Sequence, residues 1–160
     1  MSTDVPTTES ERRDEGGFTL VEVMVVVLII GILLAIGIPT FLGARERAQD
    51  RAAQANLRTA QNTAMIIYTD DADFRRVNTS RMRDAEPELV WRGANSAARN
   101  DNDVSIANPV GGTEWAAAAM SDSGTCFFIH LRSDGRTQYG SSDATACTGT
   151  NALAVTGNDW

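Results

Sequence analysis

The chain has 160 residues and a formal net charge of −7, and all 14 of its basic residues are arginines. This length leaves room for one modest domain and a terminal segment. The acidic balance argues against a general binder of DNA or of anionic lipid, because both carry negative charge and repel such a chain at long range.

The first 17 residues are polar, with five acidic side chains against Arg12 and Arg13. Phe18 to Leu42 are mostly apolar, and these 25 residues would form a helix of about 37 Å, enough to cross a bilayer. A secretory signal is disfavoured because no small-x-small cleavage site follows the run, and a twin-arginine signal because two acidic residues follow the arginine pair. A plain membrane anchor explains the apolar run alone.

One carboxylate, that of Glu22, stands inside the apolar run. An unpaired carboxylate is costly in hydrocarbon, so we expect it to have a partner. Cleavage of the Gly17–Phe18 bond would create an α-amino group beside Glu22, and this amine could neutralise the carboxylate.

The six residues from Gly17 to Glu22 resemble the prepilin cleavage motif of type IV pilins and type II secretion pseudopilins. The resemblance covers Gly16 to Pro39 and is only architectural beyond that point. It implies that a membrane-embedded aspartyl prepilin peptidase cuts after Gly17 and methylates the new amine of Phe18. The leader, residues 1–17, departs from the family because it is acidic, whereas family leaders are usually basic near the cut.

A single long helix is expected from about Phe18 to about Tyr68. Its first half, 18–42, is the membrane or filament-core helix, and its second half, 43–68, is amphipathic. Apolar residues recur in the second half at helical spacing, namely Leu57, Ala60, Ala64 and Ile67.

Pro39 interrupts the pattern of helix formers, since it cannot donate a backbone hydrogen bond and its ring crowds the carbonyl of Ala35. A kink or a locally melted turn is expected there. The alternative is a proline that marks where the helix leaves the membrane.

The stretch from Val23 to Ile38 is apolar on every face, so it must stay in lipid or pack against similar helices. A helical filament with these segments at its centre would hide them. In that filament the Phe18 amine of one subunit would neutralise Glu22 of its neighbour, and such a buried charge pair would fix register more than it adds stability.

The segment from Tyr68 to Arg99 is expected to be loop-like, with Leu89 and Trp91 packing inward. Three carboxylates at the helix exit, those of Asp70, Asp71 and Asp73, allow a calcium site, but the EF-hand pattern is missing and a solvated turn is favoured. We therefore predict no metal. Asn78-Thr79-Ser80 fits a glycosylation acceptor pattern of low specificity.

The head, residues 69–160, is predicted to be α+β, with a small antiparallel sheet packed on the amphipathic helix. Val104–Ile106, Glu114–Met120 and Cys126–Leu131 are the expected strands, and Asp134-Gly135 predicts a hairpin turn into Arg136–Tyr139. In the clearest strand, one face carries Phe127, Ile129 and Leu131 and the other carries Cys126, Phe128 and His130.

The two cysteines, Cys126 and Cys147, are expected to form one disulfide if the chain is exported, and two reduced thiols otherwise. With His130 they are too few for a structural zinc site. His130 is predicted to be half-exposed and has no catalytic motif around it. No Walker or dinucleotide glycine pattern is present, so we predict neither an enzyme nor a cofactor.

The resemblance implies a structural subunit of major-pilin type in a type IV pilus filament. It would be a single-pass inner-membrane precursor, later part of a surface filament of identical copies. Its other partners would be the peptidase, a platform membrane protein and an assembly ATPase. The cysteine pair favours a pilin by resemblance, because major secretion pseudopilins generally bind calcium and lack this disulfide, and Glu22 favours a major subunit.

Two other functions stay open. One is a pseudopilin of a type II secretion or DNA-uptake apparatus, which uses the same cleavage motif. The other is a membrane-tethered domain that remains monomeric and keeps its leader.

Overall fold

The computed structural model describes residues 17–143 and 146–160. The predicted leader therefore lies outside the described residues, apart from Gly17. The described elements are, in chain order, α1 (Leu20–Asp71), a 3₁₀ turn (Phe74–Arg76), α2 (Thr79–Ala85), β1 (Val90–Arg92), β2 (Asp103–Ala107), β3 (Trp115–Met120), β4 (Cys126–Leu131), β5 (Thr137–Ser142) and α3 (Gly149–Ala152).

The chain divides into two compact units between Thr40 and Phe41, inside α1. In the first unit the large apolar side chains from Leu20 to Ile38 are 49–75% exposed. By length and composition, α1 can cross a membrane, with a mean hydropathy of 3.0 over its most apolar window. The long N-terminal apolar helix is thus confirmed, and it begins at Leu20, two residues later than expected.

The helix continues through Pro39 and shows no melted turn there. The hydroxyl of Thr40 donates a hydrogen bond to the carbonyl of Ile36 at 3.1 Å. Such a bond from a threonine to the fourth preceding carbonyl often accompanies a bend in a helix. A kink at Pro39 therefore stays a prediction.

In the second unit, the amphipathic part of α1 packs on one face of the sheet. Leu57, Ala60 and Ala64 are fully buried and Ile67 is 8% exposed, as their spacing predicted. The facing sheet residues include Ala117 and Ala119 besides larger apolar side chains. Small side chains on both surfaces allow the helix and the sheet to approach closely.

The head contains one five-stranded sheet in which the strands lie side by side in sequence order. β2 to β5 pair antiparallel, as predicted. β1, a strand that the sequence did not predict, pairs parallel with β2, so the whole sheet is mixed. Arg92 and Asp103 help to hold this pair, with their side chains 2.6 Å apart and Asp103 buried.

The segment expected to be a loop between Tyr68 and Arg99 contains a helix and a strand. Asn78 caps α2, because its side-chain oxygen accepts hydrogen bonds from the backbone nitrogens of Ser80 and Arg81, both at 3.1 Å. The predicted inward packing of Leu89 and Trp91 is confirmed, since they are 6% and 4% exposed.

The predicted hairpin at Asp134-Gly135 joins β4 to β5, but the expectation of a two-residue turn is wrong, because Leu131 faces Thr137 and the loop therefore consists of Ser133, Asp134 and Gly135. Arg132 N–H donates to the carbonyl of Arg136 at 2.9 Å, which closes the hairpin. Gly135 has a φ of +80°, a conformation that favours glycine.

The two faces of β4 alternate as predicted. Phe127, Ile129 and Leu131 belong to the core under α1, whereas Cys126 and Phe128 belong to a second cluster that includes Ala152 of α3. The second face is therefore covered as well. For this reason His130 is only 3% exposed, and the prediction of a half-exposed histidine is wrong.

Cys126 and Cys147 form the predicted disulfide, with their Cα atoms 5.5 Å apart. Both are fully buried. The bond closes a loop with a sequence separation of 21 residues. On the chain-entropy model such a loop stabilises the fold by about 3 kcal/mol.

Candidate processing and assembly site

The junction between Gly17 and Phe18 precedes the first helical residue, and residues 17–19 have no regular secondary structure. Among the described residues, no atom outside the chain neighbours lies within 4 Å of the position that a Cβ on Gly17 would take. Phe18 is 84% exposed. Gly17 and Phe18 are thus exposed and precede the helix, and cleavage of the bond between them stays a prediction.

Thr19 and Glu22 form a capping box at the start of α1. The backbone N–H of Glu22 donates to Thr19 Oγ1 at 3.2 Å. In return, the backbone N–H and the hydroxyl of Thr19 donate to Glu22 Oε2, each at 3.4 Å. Thr19 thus stands at the N-cap and Glu22 at the third helical position, which satisfies two backbone donors that the helix leaves unpaired.

The capping box shows how the Glu22 carboxylate is held in a single copy of the chain. Among the described residues, only Thr19 donates to it, at distances near the upper limit for hydrogen bonds, and Glu22 is exposed. These bonds use Oε2, and no described residue donates to Oε1. A negative charge is also favoured at a helix N-terminus by the helix dipole.

An open groove of about 230 Å³ runs beside this carboxylate and is lined by Phe18, Glu22, Val23 and Val26. Phe18, Glu22 and Val26 are four residues apart, so they follow one side of the helix start. The groove is therefore an apolar surface with one carboxylate, suited to an apolar helix that brings a positive charge.

The predicted site residues fall into separate places in the chain. Gly17, Phe18 and Glu22 come together at the start of α1, whereas Pro39 lies further along the same helix. Cys126 and Cys147 lie in the head unit. Sequence reasoning missed the role of Thr19, although the spacing Thr-x-x-Glu before an apolar run is the sequence signature of a capping box.

Two of the three acidic residues at the end of α1 are paired with arginines. Asp73 lies 2.7 Å from Arg75, and Asp71 pairs with Arg81. The side-chain hydrogen bond from Arg75, followed by the one from its backbone, lowers the pKa of Asp73 below its usual value. Among the described residues, no group of three or more His, Cys, Asp or Glu side chains could hold a metal ion.

His130 has one acidic neighbour, with its Nε2 atom 3.5 Å from Glu114 Oε2. Within the described chain neither ring nitrogen makes a hydrogen bond. A catalytic histidine needs a nucleophile or a substrate within hydrogen-bond reach, and this one is enclosed in the sheet.

Known proteins resemble this chain both in a short N-terminal motif and over most of its length. The family described as the prokaryotic N-terminal methylation motif matches residues 12–38. The type IV wide pilus major component PilA4 of Thermus thermophilus is 34% identical over 109 residues, which cover 66% of this chain and 82% of that protein. The type II secretion system core protein G of Vibrio cholerae is 29% identical over 130 residues, 79% of this chain and 86% of that protein.

A third relative belongs to another named class. The competence protein ComGC of Halalkalibacterium halodurans is 35% identical over 69 residues, 43% of this chain and 67% of that protein. No solved structure shows a significant similarity to the chain.

Proposed function

The chain belongs to the family of type IV pilins and type II secretion pseudopilins, and we propose that it is the major structural subunit of a type IV pilus filament. Proteins of this family are structural and not enzymes, and membership implies processing by prepilin peptidase and assembly into a filament.

The observation that carries the proposal is the exposed apolar surface of α1. Side chains from Leu20 to Ile38 are about half exposed or more in a single chain. Water disfavours so large an apolar surface, so it must be covered by lipid or by other apolar surfaces. Lipid covers it in the membrane precursor, and the equivalent segments of other copies cover it in the filament.

Processing and assembly then follow in order. The peptidase cuts the exposed Gly17–Phe18 bond and methylates the new amine of Phe18. A platform membrane protein and an assembly ATPase then move the subunit from the membrane into the filament. The precursor resides in the inner membrane and the filament at the cell surface.

Glu22 exchanges partners during assembly. In a single subunit Thr19 holds the carboxylate through long hydrogen bonds. In the filament the carboxylate pairs with the Phe18 amine of a neighbour, which provides a full positive charge inside an apolar environment. A misaligned neighbour would leave both charges buried without a partner, so the pair selects one register.

Two observations favour a pilus over a secretion pseudopilus. The Thermus relative, which is matched over 82% of its length, is named as the major component of a pilus. The head also carries the disulfide between Cys126 and Cys147, which favours a pilin by resemblance. The second candidate is a pseudopilin of a secretion or DNA-uptake apparatus, which the Vibrio and Halalkalibacterium relatives support.

Mass spectrometry of filaments sheared from cells tests the proposal. A mature chain that begins at methylated Phe18 supports the filament, and a chain that keeps its leader and stays in the membrane contradicts it. Deletion of the gene separates the two candidates. A pilus subunit should be needed for surface fibres, whereas a pseudopilin should be needed for secretion or transformation.

A further inference from the structure

A polar cleft of about 280 Å³ lies in the head unit where the apolar run of α1 ends. The cleft is open to solvent and large enough for a small polar group. Side chains of α1 and of the turn between β3 and β4 line it, namely Leu42, Arg45, Glu46, Gln49, Asp122 and Ser123.

The wall of the cleft on the sheet side is held firmly against α1. Asp50 Oδ1 accepts hydrogen bonds from the hydroxyls of Ser121 at 2.8 Å and Ser123 at 2.5 Å. Ser121 is 1% exposed, and its hydroxyl also accepts a bond from the backbone of Ser123 at 3.1 Å. The turn and the helix therefore keep a fixed separation, which gives the cleft a defined shape.

The charged groups in the cleft have no partners within the described chain. Arg45, Glu46 and Asp122 are exposed, and none of their side chains forms an ion pair or hydrogen bond with another described residue. One positive and two negative charges thus face the same small volume. Such a set suits a ligand that carries both a negative and a positive group.

The position of the cleft along α1 indicates where such a ligand is found. The apolar run ends at Leu42, which is itself part of the cleft. Arg45 follows three residues later, about 4.5 Å further along the helix. In a membrane-inserted chain this depth corresponds to the layer of phospholipid headgroups, where arginine side chains contact phosphates.

We infer that the cleft binds the headgroup of a phospholipid that carries a phosphodiester beside a primary ammonium, as in phosphatidylethanolamine. Arg45 pairs with the phosphate, and Glu46 and Asp122 accept hydrogen bonds from the ammonium. Phosphatidylglycerol has no cation for the two carboxylates, and the quaternary ammonium of phosphatidylcholine has no N–H to donate. The inference rests on the membrane-inserted stage of the proposed function.

The test uses the full chain in detergent micelles, titrated with each of the three phospholipids and followed by native mass spectrometry. We expect phosphatidylethanolamine to bind about fivefold more tightly than the other two, the effect of roughly one charge contact at a membrane surface. Arg45→Gln and Asp122→Asn should each abolish this preference. Arg51→Gln is the matched control, because Arg51 is also exposed on α1 but does not line the cleft.

Near-ultraviolet circular dichroism should show that both cleft variants keep the fold, because the substituted side chains are exposed. Equal binding of the three lipids by the unsubstituted chain would overturn the inference. So would an unchanged preference in both cleft variants, or a preference for phosphatidylglycerol in every variant, which indicates general surface electrostatics.

Soluble glycerophosphoethanolamine carries the same polar chemistry and separates a lipid from a free ligand. We expect it to bind at least tenfold more weakly than the lipid, and equal binding would contradict a lipid site. The measurement needs no filament. A chain that forms filaments but shows no lipid preference in micelles would therefore contradict this inference alone. A chain that shows the lipid preference but never assembles into filaments would contradict the proposed function alone.

Discussion

Thr19 and Glu22 cap the start of α1 reciprocally, with the Glu22 N–H 3.2 Å from the threonine hydroxyl and the Glu22 carboxylate 3.4 Å from the threonine nitrogen. The same carboxylate is the proposed partner of a neighbour's amine in the filament. Its two roles can be separated, because capping needs only a hydrogen-bond acceptor whereas the neighbour's amine requires a negative charge.

Glu22→Gln is predicted to prevent filament formation and to leave leader cleavage intact. A glutamine at this position still caps the helix but cannot neutralise an amine inside an apolar filament core. Glu22→Val should behave in the same way. The measurement is the yield of sheared filaments relative to the amount of processed subunit in the membrane.

Thr19→Val is the matched variant, since it removes the cap and keeps the charge. It should weaken the first turn of α1 by about 1 kcal/mol and still permit filaments. A threonine variant without filaments, beside a glutamine variant with normal filaments, would show that the cap and not the charge is what assembly needs.

Removal of the disulfide by the double substitution Cys126→Ala and Cys147→Ala is predicted to destabilise the head by about 3 kcal/mol. For a unit of this size the midpoint of thermal unfolding should fall by roughly 10 °C. All three tryptophans lie in the head, so their fluorescence reports this transition in the full chain. Reduction of the unsubstituted protein should give a similar loss, and an unchanged midpoint would mean that the bond contributes no stability.

Gly112→Ala is predicted to destabilise the head by more than Gly135→Ala does. Both glycines have positive φ, +68° and +80°, so alanine costs about 1–2 kcal/mol at either position. A Cβ at Gly112 would also collide with the carboxylate of Asp73, whereas nothing lies within 4 Å of a Cβ at Gly135. Chemical denaturation of both variants measures the difference, and equal losses would contradict the contact with Asp73.

The ion pair between Asp73 and Arg75 predicts a small dependence of head stability on acid pH. The hydrogen bond from Arg75 lowers the pKa of Asp73 in the folded state. The stabilisation that the Asp73 carboxylate contributes is therefore fully present above the pKa of aspartate in the unfolded chain, about 4. It is lost as the pH falls through the lower pKa of Asp73 in the folded state. Because both groups are exposed and solvent screens them, the effect should be modest.

Chemical denaturation of Asp73→Asn and of the unsubstituted chain, at evenly spaced pH values from about 2 to about 7, checks this expectation. The stability difference between the two proteins should shrink as the pH drops below about 4. In an Arg75→Gln background, the stability difference that Asp73→Asn makes should be smaller at every pH, because the arginine partner of Asp73 is gone. A difference that grows towards acid pH would contradict the assignment.

Periodicity predicted much of this fold because it records which faces are buried. The spacing of Leu57, Ala60 and Ala64 identified the face of α1 that packs on the sheet, and the alternation in β4 identified which residues share each of its two faces. The exposed apolar run was also evident from the sequence, since it depends on local composition.

Features that depend on long-range contacts were not predictable in this way. β1 has only three residues, and its parallel pairing is set by contact with β2 and by the ion pair of Arg92 with Asp103. The burial of His130 requires cover on the second face of the sheet, and the residues that provide it have no clear periodicity. The capping role of Thr19 was missed for another reason, because Thr19 and Glu22 belong to both patterns and were assigned only to the cleavage motif.

Electron cryomicroscopy of the sheared filament, at a resolution that shows side chains, can show whether neighbouring subunits pair through Glu22. Each subunit should begin at Phe18, and its amine nitrogen should lie within about 4 Å of the Glu22 carboxylate of a neighbouring subunit. Filaments in which this carboxylate faces no amine, or in which the leader is still attached to α1, would contradict this pairing.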